Sequence, residues 1–458
     1  MKKIIFIVSF FFSISIWSQK NIKIELPEGY ELGNIILALT EYGKTDPYDV
    51  QKIPPYYDEI ITYFSPVKGH PLLKKVNYSR KDWKKFLGFR TDFYAFSFDE
   101  KGLLKRDYPF NSFGPKEVDE NLELINDFVK KSNYRTFYKD HQSFYNSLIN
   151  NYKDYYFINE SYAFLDKIAG RPTNDNSRTY AIAISPLVGG QNCHRDINSL
   201  LTVDFPNIGQ DLILGNLKGN IAQRIIDNHT IFSEIDHGYV NPISDQYSNK
   251  IKENFSLNNW DKNSGYSDIN SFNEYMTWAV YDLFIRENFP EQKVDSISTI
   301  YYKTNITRGF IAQNLFSEKL IELYKSNKSL EKLYSPMLQW THKTEKSISQ
   351  PSVVNANNKN LEKVDKNNLV IQFTEPMKRT KSIQLRLFEL VDGKETNNRT
   401  IITITNPVWS KNGKEVKFKL DTPYKDFGLS FHIWNSKTGL YSKNGILLNP
   451  RNYLLLSS

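Results

Sequence analysis

A single cysteine, Cys193, stands in 458 residues. One thiol closes no internal disulfide, so a disulfide-stapled scaffold is excluded and stability must come from core packing. A leftover thiol of this kind reads as buried and inert rather than reactive. Histidine is scarce too, at 7, so each candidate metal ligand can be weighed by position. Past the first eighteen residues no stretch holds 18 consecutive apolar residues, and no later membrane span is expected. Charge of one sign does not accumulate. Lys and Arg (59) exceed Asp and Glu (51), but the signs interleave, with clusters no denser than Lys378-Arg379-Thr380-Lys381. That pattern is solvated surface and not a nucleic-acid footprint.

Aromatic residues are abundant, with 29 Tyr and 30 Phe, so core material is plentiful. The length suggests two or more domains. Residues 1–18 read as a secretory signal. Lys2 and Lys3 form the charged start, and Ile4 to Trp17 is almost wholly apolar. Cleavage is expected between Ser18 and Gln19, with a cut after Ser15 as the alternative. The expected destination is secreted, periplasmic or cell-surface, with no stable membrane insertion after cleavage.

Residues 19–342 mix strand-like runs with helical stripes. Asn34 to Thr40 reads as a buried strand. Val118, Leu122, Ile125 and Val129 mark one helix, and Phe137, His141, Phe144, Leu148 and Tyr152 a second. Tyr180 to Leu187 reads as a strand ended by Gly189-Gly190. Helices are expected over 226–238, 271–286 and about 309–326. Across 343–365 the helical period fades into polar Asn, Lys and Ser, so a linker is placed at 343–349. From 350 to 458 the pattern alternates. Five strands are predicted, at 369–373, 382–388, 400–404, 414–420 and 428–434, with turns at Asp392-Gly393 and Asn412-Gly413. About 100 residues of this kind suggest a β-sandwich.

Positions 233–242 carry the chemistry: Ser-Glu-Ile-Asp-His-Gly-Tyr-Val-Asn-Pro. This is the zinc-protease helix motif His-Glu-x-x-His with its first His replaced by Ser233. Two His at i and i+4 share a helix face and grip one metal, and the Glu beside the first acts as general base on metal-bound water. A neutral Ser hydroxyl is a poor zinc ligand. With 24 Glu and 7 His in the chain, chance alone supplies about 0.4 Glu-x-x-His pairs, so the bare spacing says little. Asn241-Pro242 is expected to stop the helix just after the motif.

Gly69-His70-Pro71, Ser185 to Asn192, Glu234 to Pro242, Asn273-Glu274 and Arg308-Gly309-Phe310 together resemble a family of secreted bacterial proteins of unknown function with a zincin-type metallopeptidase motif. The resemblance covers about 30–330. Phe373 to Met377 and Trp409 to Gly413 resemble bacterial Ig-like modules. These likenesses imply an α+β zincin-like metallopeptidase-type domain followed by an all-β Ig-like sandwich. They imply Glu234 as base, His237 as second metal ligand and Glu274 as third, with Ser233 at the lost ligand position. Gly189 and Gly190 would border the substrate cleft. Glu274 has a plainer reading as well: Ser271-x-x-Glu274 is a capping box.

Other histidines replace the lost ligand poorly. His229 lies two turns from His237, about 12 Å along a regular helix, too far to share one ion. His194, after the Gly-Gly turn, is a minor candidate. Asp236 points off the ligand face. His141 reads as a core histidine and His70 as a turn residue. A structural zinc site is worth about 10–16 kcal/mol over four ligands, so one lost ligand costs roughly 3 kcal/mol, about two decades in affinity. Zinc is therefore expected to be weak or absent. The first functional reading is an exported, non-catalytic relative of a zinc metallopeptidase that keeps a cleft for a peptide or protein. The second is an active metal-dependent hydrolase with an atypical ligand set.

Overall fold

Two hydrophobic cores organise the chain. One gathers buried side chains from Leu26 to Ile348, together with Ile446. The other runs from Val353 to Leu456. The computed structural model describes residues 20–110, 116–172, 177–217, 219–262, 264–431 and 439–458. The expected leader lies outside the described residues, as does the end of the last predicted strand at 432–434. The architecture is mixed α and β, helix-rich in the N-terminal part and sheet-rich in the C-terminal part.

The N-terminal part is built on a four-stranded sheet. Strand β1 is Ile22–Glu25; a small hairpin follows, β2 (Phe96–Phe98) with β3 (Leu104–Arg106). Strands β4 (Thr179–Ala183), β5 (Cys193–Asn198) and β6 (Leu201–Phe205) complete the sheet in the order β1-β4-β6-β5. The first three in that order run parallel; β5 is the outermost strand and antiparallel to β6. Side chains alternate across the sheet. Ala181, Ala183, Val203 and Phe205 pack with Tyr30 and Leu87 on one face. Tyr180 and Ile182 join the main core on the other, the side on which Asp204 meets Tyr162.

Three sequence expectations change here. The run at 34–40 is no strand but part of a helix, Glu28–Leu39, in which every residue from Gly29 to Leu39 is buried. A helix buried on all sides has no exposed face and so no period to read. The two amphipathic stripes each divide in two: Glu117–Glu120 with Leu122–Ser132, and Tyr134–Asp140 with Gln142–Tyr155. The motif helix does not stop at Asn241. It runs from Ile221 to Gln246, through Pro242. Proline removes the N–H that would bond the Gly238 carbonyl; the Arg171 guanidinium donates to that carbonyl instead, at 3.2 Å.

Helices Asp268–Asn288, Val294–Arg308, Gln313–Ser326 and Leu330–Thr344 complete the N-terminal part. A 3-10 turn at Glu345–Ser347 occupies the place of the expected linker. Among the described residues, no helix is long and apolar enough to cross a membrane.

The C-terminal part has two sheets around one core. Strands β7 (Glu362–Lys363), β8 (Leu369–Gln372), β9 (Ser382–Val391), β10 (Lys394–Thr405), β11 (Val408–Trp409), β12 (Glu415–Phe418), β13 (Asp426–Ser430) and β14 (Tyr453–Ser457) pair as β10-β9-β13-β14-β7 and β11-β12-β8. All five predicted strands are present in substance; β7, β11 and β14 are additional. The hairpin at Asp392-Gly393 has both residues at positive φ, 51° and 73°, the geometry that two-residue hairpin turns select. The two parts meet at residues 440–447. Leu447 and Tyr441 pack on Tyr302 and Ile306, and Asn314 Nδ2 donates to the Gly445 carbonyl at 2.6 Å.

Candidate functional site

Helices Ile221–Gln246 and Asp268–Asn288 pack side by side, with β5 alongside the first. Between them opens a cavity of about 560 Å³ lined by Ser233, Glu234, His237, Glu274, His194 and Gly190, among others. The motif residues and the second-helix glutamate therefore share one space. His237 Nε2 lies 3.8 Å from Glu274 Oε1, and His237 Nδ1 faces Asn241 Oδ1 at 3.3 Å. Burial holds the His237 imidazole below its ordinary pKa, against the pull of the Glu274 carboxylate, so the ring is neutral at neutral pH.

Glu274 does not close a helix start. Its helix begins at Asp268 with Ser267 as N-cap, and the Ser271 hydroxyl donates to Asp261 at 2.6 Å. Glu274 thus projects from the helix interior into the cavity, where its second oxygen pairs with Arg308 at 3.2 Å. Arg308 also reaches the Tyr266 hydroxyl at 3.3 Å. No role for Arg308 is legible in the sequence; only the chain path, crossing from the next helix, brings it here.

Glu234 is buried, and burial pushes its carboxyl up to about 8, with the Asp204 and Glu274 carboxylates adding to the rise and His194 and Arg195 opposing it. At neutral pH it is chiefly a protonated acid, a hydrogen-bond donor rather than a base. Ser233 faces the cavity, but its hydroxyl donates back to the Thr230 carbonyl at 3.0 Å.

His194 comes from β5. Its ring rests on the motif helix at Gly238, where a Cβ would lie 3.0 Å from Cε1, a tight contact that the ring would have to relieve. Nδ1 bonds Asp204 Oδ1 at 2.7 Å, and Nε2 has no hydrogen-bond partner among the described residues. Burial alone would lower this imidazole, but Asp204 and Asp196 outweigh it and raise the pKa to about 9. His194 is therefore a cation at neutral pH, and a protonated ring offers a metal no lone pair.

Gly190 lines the cavity and is exposed. Gly189 does not line it. Its α-carbon presses on the backbone of 48–49, where a Cβ would fall 2.0 Å from the Tyr48 carbonyl. His229 also reaches the cavity wall, tilted against Trp278 at 4.0 Å and stacked on Tyr301 at 4.8 Å by ring centroids; burial keeps it neutral, with a pKa near 3. Asp236 is fully buried off the cavity, and burial raises it well above the ordinary range. His70 caps the helix at Pro71, accepting from the Leu72 N–H at 3.2 Å. His141 bonds Phe137 and Glu59 at a helix break.

His237 and Glu274 offer two ligating groups, and Glu274 already carries a guanidinium. A catalytic zinc takes three protein ligands. Among the described residues, no group of three or more His, Cys, Asp and Glu stands in metal-holding geometry. Comparisons with protein-family models, with curated proteins and with solved structures return no match.

Proposed function

We propose that this chain is an exported, non-catalytic relative of a zinc metallopeptidase, a zincin-like domain followed by an Ig-like module, which keeps its cleft to bind a peptide or protein segment. The observation that carries this reading is the state of Ser233. Its hydroxyl is turned back onto its own helix at Thr230, while Glu234, His237 and Glu274 still face one cavity. The cleft persists and the ligand set is short by one.

The same residues suit recognition. A protonated Glu234 donates a hydrogen bond to a peptide carbonyl, and the neutral His237 either donates or accepts. Strand β5, outermost in its sheet, borders the cavity and offers backbone groups to an extended segment. An active hydrolase with an atypical ligand set is the second reading. It rests on His194, whose Nε2 lies against the motif helix, and it requires that ring to shed its proton to a metal.

The test is binding and cleavage measured together on the mature chain. A pool of peptides from digested casein is incubated with the protein in chelator, and bound peptides are sequenced by mass spectrometry. Intact, extended peptides should be retained, and Gly190→Trp, which fills the exposed rim, should lose them. No retention by the wild type contradicts the proposal. Cleavage that appears without chelator and stops with it favours the second reading.

A further inference from the structure

A second cavity, of about 520 Å³, lies where the helix Val294–Arg308 crosses the outer face of the β10-β9-β13-β14-β7 sheet. That volume is within the roughly 300–1,000 Å³ typical of small-molecule sites. The inner face of this sheet is accounted for: Leu385, Leu387, Phe427, Leu429, Leu454 and Leu456 fill the second core. Alternation puts their neighbours on the outside, where polar residues are expected. Instead Phe388 and Leu390 are buried there, at 5% and 6% exposure.

The register builds two rows across three strands. Phe388, Gly428 and Leu455 align as an apolar row. The Phe388 ring lies over Gly428, where a Cβ would fall 2.0 Å from the ring. Arg386, Ser430 and Tyr453 align beside it as a polar row. Ser430 is 8% exposed, and its hydroxyl, in the wall of this cavity, has no hydrogen-bond partner among the described residues. A buried polar group left unsatisfied costs free energy that a ligand can relieve. Lys303 and Arg451 add positive charge to the wall, against Glu395, which pairs with Arg386. Burial and the neighbouring Arg386 hold the Lys303 ammonium below its ordinary value, as two cations facing one space would be.

We infer that this junction is a binding site for a small amphipathic anion, its carboxylate held by Lys303, Arg386 and the Ser430 hydroxyl and its apolar body laid on the Phe388–Leu455 row. The site is separate from the cleft of the motif helix and does not depend on the function proposed for that cleft. A carboxylate on an apolar body has two sources, a free alkyl acid and the C-terminus of an apolar peptide.

Isothermal titration of the mature full chain with octanoate, octanol, inorganic phosphate and N-acetyl-Leu-Phe tests the site. Octanoate, the dipeptide or both should bind saturably, and the tighter of the two names the source. Octanol and phosphate should bind at least about tenfold more weakly, since each lacks one half of the match. Lys303→Gln and Arg386→Gln lie on different elements and are partly exposed, so folding should survive, as circular dichroism will check. Each should weaken binding by about tenfold. No saturable binding of either carboxylate overturns the inference. So does octanol or phosphate binding as tightly as the carboxylates, or wild-type affinity in both variants.

Discussion

His237 Nε2 stands 3.8 Å from Glu274 Oε1, although the two residues lie on separate helices and 37 positions apart in the chain. The pairing brings an imidazole and a carboxylate from separate helices into one cavity. Arg308 pairs with the other Glu274 oxygen, at 3.2 Å.

Glu234 should make stability depend on pH. Its folded value, about 8, lies above the ordinary 4.5, so the folded state holds the proton more tightly than the unfolded one. Below about 4.5 both states are protonated and the group has no effect. As pH rises from there toward 8 the unfolded state gains by ionising, and stability falls. Urea unfolding of Glu234→Gln and wild type across this window should show the variant gaining up to about 1.4 kcal/mol per pH unit relative to wild type. A difference that stays flat with pH contradicts the assignment.

Cys193 should be inert in the folded chain. It is buried, and burial pushes its thiol up to about 11. A thiol-disulfide reagent such as dithionitrobenzoate should react only as fast as the chain opens, then report one thiol per chain in urea. Rapid stoichiometric reaction in buffer would contradict the buried environment.

Limited trypsin digestion should cut first after Lys359, inside an exposed stretch at 357–363. The fragments should still co-elute on gel filtration. Val353 belongs to the second core and Ile446 to the first, so each fragment holds part of the other's interior. Fragments that separate without denaturant would show that the two parts are independent.

What the sequence revealed depended on whether its signals were local. Alternation at 369–420 gave strands because one face is buried and the other wet. The short β14 has the same alternation, Leu454 and Leu456 inward, but its run of three leucines hides it. The buried helix at Glu28–Leu39 was illegible because, with no exposed face, it has no period. Pro242 misled because the group that rescues the helix, Arg171, lies 71 residues away. In the site, Ser233, Glu234 and His237 were readable as a motif. Glu274 was ambiguous until the helix start at Asp268 removed the capping alternative. Asp204 carried no local signal and acts behind the cavity wall, on His194; Arg308 was only part of a matching tripeptide, and its place in the wall follows from the path of another helix.

Isothermal titration with zinc of the wild type and of Ser233→His decides whether Ser233 stands at a lost ligand position. Ser233 sits one turn before His237 on the same face and is only partly buried, so an imidazole there faces the cavity without moving the backbone. The wild type should bind zinc weakly or not at all, and the variant at least about two decades more tightly. Tight zinc binding by the wild type, unchanged in Ser233→His, would contradict this and show that the ligand set is already complete.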